Sequence, residues 1–191
     1  MGDGNEFLWQ RNVRDHYKSW SNEAIKADLK AKSLPCAVLM AQVEHDFNIG
    51  CVIRNANAFC CTTVYYYGRK HMDRRGAIST YKYMDVIYLP SFDAVKELKA
   101  RYSLVALENN VPDTKPLATF TYPTNPLFII GEEQNGIEPA LLDIVDHRVE
   151  IPITGSTRSL NAGTASGIIL WDFVCKQERN WEYGTSRIET R

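Results

Sequence analysis

The residues of this sequence able to do chemistry gather in three short stretches. Asn48 and Arg54 stand six positions apart, on a segment whose other members, Val52, Ile53, Ala56 and Phe59, are apolar. Glu133 lies within Gly131-Glu132-Glu133-Gln134-Asn135-Gly136. Ser159 and Asn161 lie in GSTRSLNAGTASG, residues 155–167, between the apolar runs VEIPI and IILWDF. A loop of Gly, Ser and Thr between buried flanks is either a surface turn or a clasp around something polar. Buried backbone needs hydrogen-bond partners, and small residues let a ligand come close enough to supply them. Arg54 taken alone reads as a surface arginine on an amphipathic helix.

Several chemistries are excluded by spacing. The 131–136 run looks like a phosphate loop, but it lacks the Lys-Ser/Thr ending and would turn two carboxylates toward the phosphates. No GxGxxG follows the first strand either, so a ligand here should be neutral or cationic where it touches. Ser159 has no GxSxG around it, and His16, His45, His71 and His147 have no nucleophile partner. HExxH spacing is absent, and no metal is expected. The net charge of -1 means that any nucleic-acid contact must use a local patch. The candidates are Arg69, Lys70, Arg74 and Arg75, with Arg11, Arg14 and Lys18 as a second group. By itself such a cluster is more often a solvated loop.

The elements that must position these residues alternate. Residues 22–32 read as a short amphipathic helix with Asn22 as its N-cap. A buried strand begins at Ala37, and the glycine of Asn48-Ile49-Gly50 opens a helical pattern through Phe59. Strands follow at 62–67, 86–89, 104–107, 127–130 and 149–153. Ser91 caps a helix with Phe92, Val95 and Leu98 inward, Pro139 sits in the first turn of another, and a largely buried helix covers 162–177. Uninterrupted apolar strands alternating with helices predict an α/β domain, a mainly parallel sheet with helices on both faces. Ligands bind such sheets beyond the carboxyl ends of the strands, where the loops 44–50, 131–136 and 154–163 emerge.

The chain has 191 residues, enough for one domain with a short appendage, and 45% of them are hydrophobic. Five cysteines with no CxxC suit reduced thiols, and no run is long enough to span a membrane. A cytoplasmic location is expected.

Asn48-x-Gly50-x-x-x-Arg54-x-Ala56, then Ile130-Gly131-x-Glu133-x-x-Gly136-Ile137, then Ile151-Pro152-Ile153-x-Gly155 with Ser159-Leu160-Asn161, stand in order. In order and spacing this set resembles the SpoU/TrmH-type branch of the SPOUT RNA methyltransferases. The resemblance implies a catalytic domain over 35–177, with 1–34 a helical extension and 178–191 a tail. It implies a deep trefoil knot at the C-terminal end, a rare exception to unknotted chains. It also implies S-adenosylmethionine as cofactor, a homodimer with sites near its interface, and methyl transfer to a ribose 2'-hydroxyl of RNA. By the same resemblance Leu107, Gly131, Ile151 and Leu160 surround the adenosine, and Gly136 shapes the second loop. Arg54 is the essential arginine, with Asn48 and Ser159 orienting it or the ribose. Asn161 serves there or as a helix cap, and Glu133 holds a backbone group or an arginine across the loop. Arginine stays protonated in proteins and so has no site to accept a proton, and Arg54 is therefore expected to grip the phosphate and ribose by its fork. Where the family commonly has Asn, this chain has Glu132, which adds negative charge at the cofactor mouth. The basic stretch 69–75 is expected on RNA phosphates, and the short extension tilts the substrate toward tRNA over rRNA. The alternatives are rRNA or a base as target, or a knotted RNA-binding protein without catalysis.

Overall fold

The apolar runs form strands and the amphipathic runs helices in the computed structural model, which describes residues 12–43, 47–72, 75–109, 111–132 and 135–177. The strands are β1 (Ala37–Val43), β2 (Thr63–Gly68), β3 (Asp85–Leu89), β4 (Ser103–Leu107), β5 (Lys115–Pro116), β6 (Pro126–Ile130) and β7 (His147–Glu150). The α-helices are α1 (Asn22–Ala31), α2 (Phe47–Ala58), α3 (Phe92–Glu97), α4 (Pro139–Leu142) and α5 (Ala162–Lys176). The strands make one seven-stranded sheet in the order β3-β2-β1-β6-β4-β7-β5. Every strand pairing in it is parallel.

Alternation along the strands divides the core in two. Val38, Met40, Val105, Leu107, Phe128 and Ile130 face α2 and α5, meeting Ile49, Ile53, Ile169 and Phe173. Ala37, Leu39, Leu104, Ala106, Leu127 and Ile129 face the other way, onto Val95 and Leu98 beyond α3 and Leu141 of α4. With both faces covered, the central strands have no polar side, which is why they read as continuous apolar runs. A third, smaller cluster joins Tyr17 and Ile25 to Tyr83 and seats α1 against the main body.

Sheet order departs from sequence order in the middle, where β6 lies between β1 and β4, and again at one edge. β5 follows β4 in the chain, yet β7 lies between them, paired to β4 through Val105–His147 and to β5 through Lys115–Val149. From β7 the chain returns to α5 on the face lined by Phe128.

Several boundaries and one exposure differ from the sequence reading. Ser21, one residue earlier than Asn22, caps α1, its hydroxyl accepting from the Ala24 amide at 3.1 Å. α2 begins at Phe47, ahead of Gly50. The last strand stops at Glu150 because Ile151 pairs with a side chain. Its amide donates to Asn109 Oδ1 at 3.3 Å and its carbonyl accepts from Asn109 Nδ2 at 3.1 Å. In the otherwise largely buried α5, Trp171 is 49% exposed. Ser91 and Asn161 cap their helices, accepting from the amides of Ala94 and Thr164. Residues 1–11 of the expected extension and the expected tail at 178–191 lie outside the described residues, as do Arg11, His45, Arg74 and Glu133.

Candidate functional site

Where β4 and β6 end side by side, their continuations diverge and leave a cleft. Leu107 and Ile130 form its floor, residues 131–132 and 135–137 one wall, and residues 158–160 with Ala162 and Ala165 the other. Its volume of about 390 Å³ falls within the range of small-molecule sites. A recess of about 60 Å³ continues it between Leu107, Ile151 and Leu160.

In the first wall residues 132 and 136 are hydrogen-bonded to each other across the turn. The Glu132 amide donates to the Gly136 carbonyl at 3.2 Å, and the Gly136 amide returns to the Glu132 carbonyl at 2.9 Å. A Cβ on Gly131 would collide with the backbone of Gly136. Gly136 is constrained twice: its φ of 65° is left-handed, and a Cβ there would strike the Glu108 carboxylate. That carboxylate is already engaged, accepting from the Ile137 amide at 2.9 Å and from the Asn109 amide at 3.0 Å. Glu132, expected to add negative charge at the mouth, is buried, and its carboxylate accepts from the backbone and side chain of Asn135. Among the described residues, two carboxylates, Glu108 and Glu132, and one arginine, Arg158, line the cleft. A polyphosphate would be poorly served there; a neutral or cationic ligand with a flat apolar body is better matched.

Of the residues singled out by sequence, Leu107, Gly131, Gly136, Ser159 and Leu160 line the cleft and Ile151 lines its recess. Asn48 and Asn161 also meet. Asn48 is buried, its Oδ1 accepts from Asn161 Nδ2 at 2.9 Å, and the Oδ1 of Asn161 simultaneously caps α5. About two turns further along α2, Asn55 Nδ2 donates to the Gly163 carbonyl at 2.7 Å and to Ser166 Oγ at 2.9 Å. The two helices lie so close that a Cβ on Gly163 would come within 2.8 Å of the Cys51 Cβ.

Arg54 is not in the cleft. It is exposed, makes no hydrogen bond or ion pair among the described residues, and lines a groove between α2 and α5. That groove, of about 660 Å³, also takes in Asn161, Thr164 and Trp171. The N-terminal turn of α5 divides the two spaces: Leu160 and Ala162 border the cleft, Asn161 and Gly163 the groove.

The basic stretch is held beside the same groove. Arg69, Lys70 and Arg75 are exposed. Tyr66 and Tyr88 hydroxyls donate to the carbonyls of Lys70 and Gly68 at 3.0 and 3.2 Å, fixing the turn after β2. Gly76, next to Arg75, packs on Gly50 at the start of α2 and lines the groove.

Glu108 and Asn109 were missed by the sequence reading, though a signal was there. LVALENN sets three polar residues directly after a fully apolar strand, at its carboxyl end.

The tRNA (guanosine(18)-2'-O)-methyltransferase of Aquifex aeolicus is 25% identical over 163 residues, covering 81% of this chain and 76% of that protein. The crystal structure of the A. aeolicus TrmH/SpoU tRNA modifying enzyme superposes with a TM-score of 0.71 at 21% identity, over 82% of each chain. The SpoU methyltransferase AviRb from Streptomyces viridochromogenes, solved with the cofactor AdoMet, gives 0.66 at 26% identity. That match takes in 73% of this chain and 56% of AviRb. The model of the SpoU rRNA Methylase family matches residues 35–171, from the strand before the Asn48 helix to Trp171. The chain belongs to that family.

Proposed function

We propose that this protein methylates a ribose 2'-hydroxyl of RNA, tRNA in preference to rRNA, with S-adenosylmethionine as donor. The observation that carries the reading is the cleft itself: Leu107, Gly131, Gly136, Leu160 and Ile151, scattered over more than forty residues of sequence, converge on one space. The residues fit the cofactor. Leu107, Ile130, Ile137 and Leu160 offer apolar faces to an adenine, the loops at 131 and 159 bring backbone polar groups to its edge, and the lining carboxylates tolerate a cation. When bound, S-adenosylmethionine supplies a methyl group on an electron-poor sulfur.

The remaining work is alignment, and removal of a proton from a hydroxyl barely ionised at neutral pH. Arg54 holds the phosphate and ribose of the target by its planar fork, which stabilises the developing alkoxide. The proton passes to a phosphate oxygen or to water, because a guanidinium stays protonated. Asn48 and Asn161, bonded to each other, set the start of α2 against the start of α5 and so set Arg54 relative to the cleft. Ser159, on the cleft wall, orients the ribose. Arg69, Lys70 and Arg75, with Arg74, meet RNA phosphates. A homodimer is supported by the α2/α5 groove, with Trp171 exposed on it and small residues at Gly163 and Gly167. Threading of the C-terminal segment through the β4–β5 connection, as a trefoil knot requires, is supported by the place of β7 between those strands. A cytoplasmic setting is supported by five free cysteines.

The test is incubation with methyl-labelled S-adenosylmethionine and total RNA, followed by nuclease digestion and mapping. Label on the ribose of one nucleotide of a tRNA is the expected result. Label on a base would overturn the ribose assignment.

A further inference from the structure

A second cavity, of about 560 Å³, opens where α1 and the segment before it cross the C-terminal end of α2. It shares no residue with the cleft or with the Arg54 groove. Its floor is apolar and aromatic: Tyr17, Ile25 and Tyr83, all buried. Its rim carries two cations, Arg14 and Lys32, and an imidazole, His16. Asp28, next to it, is engaged by the Tyr17 hydroxyl and by Lys32 Nζ. At the mouth His16 lies on Tyr17 with ring centroids 3.9 Å apart, and Trp20, 39% exposed, meets the other edge of Tyr17 at 5.4 Å.

One atom in this cavity lacks what it needs. Asn57 lines it, and Asn57 Nδ2 is buried with no hydrogen-bond partner among the described residues. A buried donor left unpaired costs about 1–3 kcal/mol, which a ligand acceptor would recover once the Asn57 amide turns toward the cavity. Asn57 and Ala58 follow Arg54 by three and four positions on α2, about 4.5–6 Å along the axis and within about 60° of the same face. A chain gripped at Arg54 therefore reaches this cavity in about one nucleotide step.

Resting on the ribose-methylation reading, we propose that the cavity receives an unstacked nucleoside of the RNA substrate, next to the nucleotide held by Arg54. Its base lies on the Tyr17 and Tyr83 floor, an acceptor on the base takes the Asn57 amide, and Arg14, His16 and Lys32 face the flanking phosphates. An apolar floor suits any base face, a cationic rim suits a polyanion, and the unpaired amide adds a preference for a base with an acceptor on its exposed edge.

Total RNA containing 4-thiouridine is photo-cross-linked to the full-length protein, and the linked peptides are mapped by mass spectrometry. The expected cross-links fall on the peptides of Tyr17 or Tyr83. Ala58→Trp fills the cavity from an exposed position. It should remove those cross-links and raise KM for RNA about tenfold, with cofactor affinity and kcat unchanged. Cross-links only at other peptides, or an unchanged KM in a folded Ala58→Trp protein, sink the proposal. Should that variant not fold, Arg14→Glu at the exposed rim gives the same KM readout. Ribose methylation without these cross-links removes the cavity and leaves the reaction; cross-links with label on a base do the reverse.

Discussion

Replacing Gly136 by alanine should damage the cleft through two separable effects. The left-handed φ of 65° penalises any Cβ by about 1–2 kcal/mol. The new methyl would also occupy the space of Glu108 Oε2, which holds the Ile137 amide at 2.9 Å. Displacing a hydrogen bond to a charged group costs about 1.5–3 kcal/mol. Against this stands a gain of roughly 0.4–1 kcal/mol from a stiffer unfolded chain. The net expectation is a loss of about 2–4 kcal/mol, and less if the loop swings outward. In that case the loss moves to the ligand, and S-adenosylmethionine should bind at least about tenfold more weakly in a calorimetric titration, since a 1.4 kcal/mol defect is tenfold. Urea unfolding at pH 7 measures the first outcome. Glu108→Ala supplies the control, because it removes the obstacle along with the bond. The double variant should then be less damaged than the two single losses added together, by about 1 kcal/mol or more. A Gly136→Ala protein with native stability and native cofactor affinity would refute the account of this wall.

Arg54→Lys and Arg54→Ala should leave the urea midpoint unchanged, since the side chain is exposed and makes no ion pair among the described residues. Turnover should fall about 100-fold or more in both, because neither keeps the fork; near-normal methyl transfer by the lysine variant would contradict its role. Asn161→Ala removes the cap on Thr164 and the donor to Asn48, and should cost about 2 kcal/mol in chemical denaturation. Lys70→Gln with Arg75→Gln should lower the slope of log affinity against log salt by about 2 for RNA; an unchanged slope would take these residues off the phosphates. Burial raises the pKa of Glu138, whose Oε1 is buried without a partner among the described residues and whose Oε2 accepts from Gln42. Its charged form is therefore disfavoured in the fold: the penalty is absent below the ordinary carboxylate pKa and sets in as pH rises through the raised one. Glu138→Gln should raise the urea midpoint at pH 7, with the gain vanishing toward pH 4.

The sheet was legible because its signal is local. Apolar runs such as PLFII and SLVAL need no tertiary information to be read as strands buried on both faces. β5 was not legible, since two residues, Lys115–Pro116, carry no period and pair only because β7 comes to lie beside them. The cleft residues were legible as motifs, and the structure adds why the motifs take their form. Gly136 answers to Glu108, 28 positions earlier, and although LVALENN marks Glu108 as a strand-end polar residue, nothing in the sequence pairs it with Gly136. Arg54 was placed on the correct helix, but its separation from the cleft depends on how α2 and α5 cross. That crossing is set by Gly163 against Cys51 and by Asn48 against Asn161, contacts spanning more than a hundred residues of chain. Trp171 falls in a helix read as largely buried and is half exposed, because hydropathy marks an apolar residue without telling which side of a nearly all-apolar helix faces the core.

The rotational setting of α5 ties these observations together. Ala162 and Ala165 turn to the cleft, while Gly163, Gly167 and Trp171, spaced by four, turn to the groove. A small rotation of this helix would therefore narrow one space as it widened the other. The polar contacts at its two ends oppose such a rotation. At the N-terminal end Asn48 and Asn55 hold Asn161 and Gly163. At the C-terminal end Asp172 accepts from the Tyr122 hydroxyl at 2.7 Å and from Lys176 at 2.8 Å, and Lys176 also donates to the carbonyls of Leu117 and Phe120. Burial first, then the Asp172 carboxylate, push the Tyr122 phenol far above its ordinary range, so it remains a donor at any pH the protein meets. Hydrogen bonds in a sparsely hydrated interior are directional and costly to leave unmade, whereas apolar packing along the middle of α5 would tolerate several rotations. Polar groups at the ends and an apolar middle are the arrangement expected if the helix must keep cleft and groove in fixed register.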